Sequence, residues 1–319
     1  MFKLNYRVVA SGVLAAVLST PLSAAPFAYI SNQLADNVSV IDLATNKVVN
    51  TIAVKGKPAG VAVSPDGDKV YVTTPEAEGF AVIDARKQQL LTTVKTSNGA
   101  LGITVAPDGK RLYVADWFTN TVSVLDTASL ETIKTITVGQ SPSGLVVSQD
   151  SRWLYVANRM DDSVSQISTS SLTVKKTVAV GKHPFGLAID SRGERLYAVN
   201  VQSDDVTVLE TATMKEISTI KVGALPYAGT LALNDSRMFI TNMDDGTVSV
   251  IDTESLTNIG LIDVGEKPEG IGTHTDDRHV YVANWFDKNV SVLDAKTLQV
   301  KETIRTDRGS RAFGQFIAK

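Results

Sequence analysis

A chain of 319 residues, 43% hydrophobic and 20% charged, has the balance of a folded globular protein and not of a disordered one. It contains no cysteine, which excludes disulfides, thiolate zinc sites, iron–sulfur clusters and cysteine nucleophiles. With 31 Lys and Arg against 34 Asp and Glu, it has no global attraction for nucleic acid or anionic lipid.

The first predicted element is a leader. Lys3 and Arg7 precede a mostly apolar run over residues 8–18, and residues 21–25, PLSAA, end in small side chains. That layout is a secretory signal peptide, and the run is short for a permanent membrane span. The expectation is a signal peptide over residues 1–24, with cleavage after Ala24 or Ala25. Residues 25–319 then form a single domain in the periplasm, or a secreted one where the host lacks an outer membrane. No later segment is long and apolar enough for a transmembrane helix.

Downstream, FAYISN, KVYVTT, RLYVAD, WLYVAN, RLYAVN, RMFITN and HVYVAN recur without insertion or deletion. Their aromatics, Tyr29, Tyr71, Tyr113, Tyr155, Tyr197, Phe239 and Tyr281, stand 42 positions apart. Each unit reads as short β-branched runs separated by turn chemistry such as Pro65-Asp66-Gly67, which predicts four strands per unit. A period in this range with four strands is a propeller blade. The fold class is all-β, a seven-bladed β-propeller. The first unit lacks its leading strand, and the tail, AFGQFIAK, supplies one. The C-terminal strand, at about residues 312–318, is therefore expected to pair with the N-terminal blade and close the ring.

Tyr155-Val156-Ala157-Asn158 and Tyr281-Val282-Ala283-Asn284 resemble the YVTN-type repeat, and the chain is similar to secreted, YncE-like propeller proteins. Tyr71-Val72-Thr73-Thr74 and Phe239-Ile240-Thr241-Asn242 depart from the motif at one or two positions. The resemblance covers essentially all of residues 26–319. It implies seven blades and says little about activity, because fold does not imply function.

The repeat absorbs several tempting residues. Asp42, Asp84, Asp126, Asp252 and Asp294 recur where a carboxylate caps the turn after the third strand. Pro58, Pro142, Pro184, Pro226 and Pro268 set the turns between blades. Chemistry must come from positions that vary: the turns between second and third strands, and the residues flanking the interblade proline. These hold the pairs Trp117-Phe118 and Trp285-Phe286, expected roughly opposite each other across the channel mouth, with Arg159, His183, Phe185, Tyr227 and Glu269 on the arc between them. Large aromatics beside an arginine at a concave mouth make a recognition surface. Packing of each Trp over the adjacent turn is the alternative.

Only three histidines exist, His183 on the variable face and His274 and His279 on the other, so no histidine-rich metal site is expected. The acidic pairs Asp161-Asp162, Asp204-Asp205 and Asp244-Asp245 read mainly as solvated turns, with calcium or acid–base use as the alternative. No G-x-S-x-G, H-E-x-x-H or phosphate loop occurs. The leading expectation is a non-enzymatic recognition or scaffold protein that binds a protein segment or other extended ligand; the residues identify no particular cofactor. The alternative is a channel-mouth enzyme or cofactor-binding propeller using His183, of oxidoreductase or lyase type. The third is single-stranded nucleic-acid binding, with bases on the aromatics and Lys57, Arg159, Lys182, Lys267, Lys288, Arg308 and Arg311 on phosphates, against which the net negative charge counts.

Overall fold

The computed structural model describes residues 1–2, 27–96 and 98–318. The expected signal peptide falls almost wholly on residues 3–26, outside the described residues.

Seven antiparallel sheets are arranged as blades, numbered here from the N-terminus, with strands numbered from the axis outward. Blade 4 is representative: Pro142–Val147, Trp153–Asn158, Ser163–Ser168 and Thr173–Ala179. Second and third strands are buried on both faces, in that blade at every residue except the half-buried Trp153, because neighbouring blades cover them. This is why their hydrophobic alternation is incomplete in the sequence. The outermost strands are exposed along most of their length. No α-helix occurs among the described residues.

The recurring tyrosines are the interblade pegs. Tyr29, Tyr71, Tyr113, Tyr155, Tyr197 and Tyr281 are all at most 2% exposed. The Tyr29 hydroxyl donates to the Ala85 carbonyl of blade 2 at 3.1 Å, and the Tyr281 hydroxyl of blade 7 donates to Asn46 Oδ1 of blade 1 at 2.6 Å. Burial pushes the Tyr29 phenol up to about 12, so it remains a donor at any physiological pH. The glycine two positions after the interblade Pro, or after Ala100 in blade 3, lets adjacent inner strands touch. A Cβ on Gly102 would sit 1.8 Å from the Ser143 carbonyl oxygen, and one on Gly144 2.1 Å from that of Phe185.

The ring closes as the tail predicts. Blade 1 has three strands of its own, Phe27–Asn32, Asn37–Asp42 and Lys47–Ala53. The C-terminal segment lies beside the first of these. Tyr29 N donates to Phe316 O, Ala318 N to Phe27 O and Arg311 N to Ser31 O, at 2.8–2.9 Å. Gly314–Gln315 also runs parallel to Val61–Ala62 at the inner edge of blade 2. Four strands per blade around a closed ring is the architecture.

The asparagine and aspartate positions serve this scaffold. Asn158, Asn200, Asn242 and Asn284 donate through Nδ2 to side chains five and seven residues later. Asp126, Asp252 and Asp294 each accept two backbone N–H groups of the following turn. The turn acids are equally committed. Asp36, Asn120, Asp162 and Asp204 accept from the N–H of Lys57, Ser141, His183 and Leu225 at 2.7–2.9 Å, which holds those four residues at φ of 50–57°. Asp161 and Asp245 accept from Gln140 and Ala224, and Asp244 pairs with Lys267. Local hydrogen bonding thus uses these acidic turns.

Candidate functional site

Two rings of equivalent residues converge on the face that carries the interblade turns. The upper ring comes from the turns between second and third strands: Gln33, Pro75, Trp117, Arg159, Val201, Met243 and Trp285, each at least partly buried. The next residue outward is exposed in every blade, and among the hydrophobic ones Phe118 (71%), Phe286 (60%) and Met160 (52%) protrude most. The deeper ring follows the interblade turn: Ala59, Leu101, Ser143, Phe185, Tyr227, Glu269 and Arg311.

Four neighbours of the deeper ring, Phe185, Tyr227, Glu269 and Arg311, form a charged aromatic plug with Phe313 of the tail. Phe185 and Tyr227 lie 4.0 Å apart between ring centroids, and Phe313 meets both edge-on at 5.2 and 6.4 Å. All three are at most 5% exposed. The Arg311 guanidinium donates to the Tyr227 hydroxyl oxygen at 2.5 Å and pairs with Glu269 at 2.7 Å. It also lies over the rings of Tyr227 and Phe313. Burial pushes the Glu269 carboxyl up, with Arg311 opposing. Burial raises the Tyr227 phenol as well, so it stays protonated. Desolvation alone would lower the Arg311 guanidinium, but Glu269 and Tyr227 more than offset it.

Above the plug sits a second cation. Arg159 lies 5.5 Å from the Trp117 ring and 5.9 Å from the Phe185 ring. Burial lowers its pKa, and Arg311 adds repulsion. Among the described residues it forms no ion pair, and the Glu269 carboxylate is engaged by Arg311 alone. His183 completes the group. It stands two residues before Phe185, and its Nδ1 is buried without a hydrogen-bond partner.

The predicted residues are therefore not one patch. Trp117, Arg159, Phe185, Tyr227 and Glu269 are connected, and His183 adjoins them along the chain. Trp285 instead donates through Nε1 to Gln33 Oε1 of blade 1 at 3.2 Å and tilts against its own Phe286 at 6.3 Å. Two residues of the plug went unread as site residues. Arg311 was assigned only to phosphate contacts, and Phe313 stood in a tail read purely as a closing strand. The signal was available in Arg311, which occupies the deeper ring position of the unit containing the tail.

Below the plug, an axial chamber of about 540 Å³ runs to the turns of the opposite face. On that face His274 and His279 flank Asp276, whose carboxylate lies 3.1 and 2.6 Å from their Nδ1 atoms. No group of three His, Cys, Asp or Glu able to hold a metal occurs among the described residues. No helix of the described residues is long and apolar enough to cross a membrane.

Comparison with known proteins places these features in a family. No curated protein matches the chain. Among solved structures, hydrazine synthase of Kuenenia stuttgartiensis superposes with a TM-score of 0.76 at 22% identity, over 89% of this chain and 99% of that one. A functionally unknown protein from Desulfotomaculum acetoxidans DSM 771 gives 0.78 at 14% identity, over 92% and 98%. Dihydro-heme d1 dehydrogenase NirN in complex with DHE gives 0.69 at 16%, over 88% of this chain and 64% of that one. At these identities the likeness shows the fold. The seven-bladed β-propeller lactonase model matches residues 92–215, less than half of the chain. The cytochrome D1 heme domain model matches residues 23–147 and 193–312. That match, with hydrazine synthase and the heme d1 dehydrogenase among the similar structures, overturns the expectation of a non-enzymatic scaffold binding a protein segment. It favours the alternative of a channel-mouth enzyme or cofactor-binding propeller over that leading expectation. With well over half of its residues matched by that model, the chain belongs to the cytochrome D1 heme domain family.

Proposed function

We propose that this protein is a haem-type cofactor-binding propeller whose cofactor site is the mouth above the plug, with His183 as the iron ligand. The observation that carries the reading is the buried, unpartnered Nδ1 of His183. A buried polar atom without a partner is costly unless something supplies one. Haem iron takes His, Met, Tyr or Cys ligands. The mouth has His183 with Met160 and Met243 nearby in the ring of turns, whereas no residue of these types lines the chamber below. The donor set therefore fits the mouth and not the chamber.

A bound haem-type macrocycle would supply one-electron redox chemistry at its iron. The chain's own contributions follow from its geometry. Trp117 and the plug rings offer apolar faces for a flat ring system. Arg159, a half-buried cation without a carboxylate, suits an acidic substituent. The plug separates the mouth from the chamber and so keeps water from arriving along the axis. The finer likeness to YVTN-type, YncE-like propellers belongs to this proposal, as does export to the periplasm. Both rest on the repeat motif and the N-terminal pattern, and the mass of the protein recovered from periplasm tests the second.

The test is a titration of the purified protein with haemin, followed by absorption spectroscopy. Wild type is expected to saturate at one equivalent with a shifted Soret band, and His183→Ala to lose the shift or change the iron's spin state. Identical spectra for the two proteins, or free haemin's spectrum with both, would sink the reading.

A further inference from the structure

The chamber beneath the plug has a chemistry of its own. Its roof is Phe185 and Phe313, and its walls are the inner strands of all seven blades. These walls are uneven. The inner strands of blades 2 and 3, Val61–Val63 and Ala100–Val105, are buried throughout except at the half-buried Leu101. Those of blades 5 and 6, Pro184–Ile189 and Pro226–Ala232, are only half-buried over residues 186–189 and 229–231. Leu187, Ala188, Ile189 and Leu231 are thus left partly uncovered inside the molecule, all of them lining the chamber. The same wall carries two hydroxyls. Thr273 Oγ1 donates to Leu231 O at 2.7 Å and lies 2.9 Å from Thr230 Oγ1. With its proton committed to the carbonyl, Thr273 receives the proton of Thr230, and the Thr230 oxygen keeps its acceptor capacity.

We infer that this chamber is a second ligand site, distinct from the mouth, for a compact uncharged molecule with an apolar ring and one hydroxyl. Its volume is in the range of small-molecule sites, about 300–1,000 Å³, which combine apolar walls with a few placed polar groups. An apolar body covers Leu187, Ile189 and Leu231 and removes them from water. A hydroxyl donates to Thr230 Oγ1. Charged molecules are disfavoured because Asp190 and Asp235, the acids at its lower end, already accept backbone N–H groups of Glu194, Arg195 and Ser191, and no basic residue lines it.

Phenol is the probe, with benzene and benzoate as controls. Saturation-transfer NMR on the full chain is expected to show phenol and benzene bound and benzoate unbound, with phenol at millimolar concentration raising Tm by roughly 2 °C. Ala188→Phe fills the chamber and abolishes both signals while circular dichroism stays unchanged. Thr230→Val leaves benzene binding intact and weakens phenol by about threefold to tenfold, as loss of one hydrogen bond does; this variant decides the matter if Ala188→Phe fails to fold. His183→Ala leaves phenol binding unaltered, so the chamber stands or falls separately from the cofactor site. No transfer to phenol in wild type, transfer that survives Ala188→Phe, or equal loss of phenol and benzene in Thr230→Val would each overturn the inference.

Discussion

The turns bearing Trp117-Phe118 and Trp285-Phe286 share a backbone and differ in employment. In both, the tryptophan N–H donates to the interblade turn at 2.9 Å, to Gly99 O and Lys267 O respectively. In both, the turn ends in a left-handed residue, Asn120 at φ 58° and Lys288 at φ 59°. What differs is the next blade. Trp117 meets Arg159 at the following ring position and packs against the cluster that contains Phe185, Tyr227 and Phe313. Trp285 meets Gln33 at the corresponding position and is held there by a neutral hydrogen bond. A repeat protein can thus copy a motif and give the copies different surroundings by changing the neighbour. The motif alone does not say which copy that is.

The largest expected effect lies beneath the Trp117 turn. Arg311→Leu leaves the Glu269 carboxylate buried and unpaired, so thermal or urea unfolding should register a loss of about 3–5 kcal/mol. The double change with Glu269→Leu should recover most of it. A single variant as stable as wild type would mean that the pair is not buried as described. Next come the tryptophans. Trp117→Ala and Arg159→Gln, which makes the first turn resemble the second, should each weaken haemin binding about tenfold, and Trp285→Ala by less than twofold; equal losses would erase the contrast between the turns.

Smaller effects sharpen the same comparison. Asn120 caps Ser141, a non-glycine residue held at φ 50°, whereas Lys288 faces Gly309, at φ 76°, where glycine needs no cap. Asn120→Ala should therefore cost about 1 kcal/mol in unfolding experiments and Lys288→Ala almost nothing. The smallest effect is at acid pH. The hydrogen bond from Arg278 holds the Asp294 carboxyl well below the usual carboxylate range, against the pull of desolvation. Its stabilisation is present above its unfolded value, about pH 4, and is lost as pH falls through the depressed folded value. Asp294→Asn should flatten the acid limb of a Tm-against-pH curve, and Asp126→Asn, with backbone partners and no arginine, should flatten it less.

These contrasts bear on what a sequence discloses. The blades were legible because each anchor does one local job in most of the seven units: a tyrosine peg, an asparagine clasp, an aspartate turn cap. Even the closing strand could be read, since the missing piece of the first unit reappears in the tail. The mouth was legible only in outline. Arg159, Phe185, Tyr227 and Glu269 stand out as departures from the repeat, but the pairing of Arg311 with Glu269 joins different blades and depends on how side chains cross the axis. Trp285 was read together with Trp117 because spacing reports equivalence of backbone and not of neighbours. His183 stood only in the alternative reading for a related reason: a single imidazole makes no pattern.

Ring closure also has a kinetic meaning. Every ladder outside the C-terminal tail joins strands within one repeat, but the seam joins Tyr29 to Phe316, almost the whole described chain apart. Such long-range pairing forms slowly, because the entropy of bringing the ends together must be met before their contacts form. Arg311 and Phe313 ride on that seam strand. A folding intermediate with all its blades in place and the ring still open would therefore lack the plug, and the mouth would come into being in the same step that closes the circle.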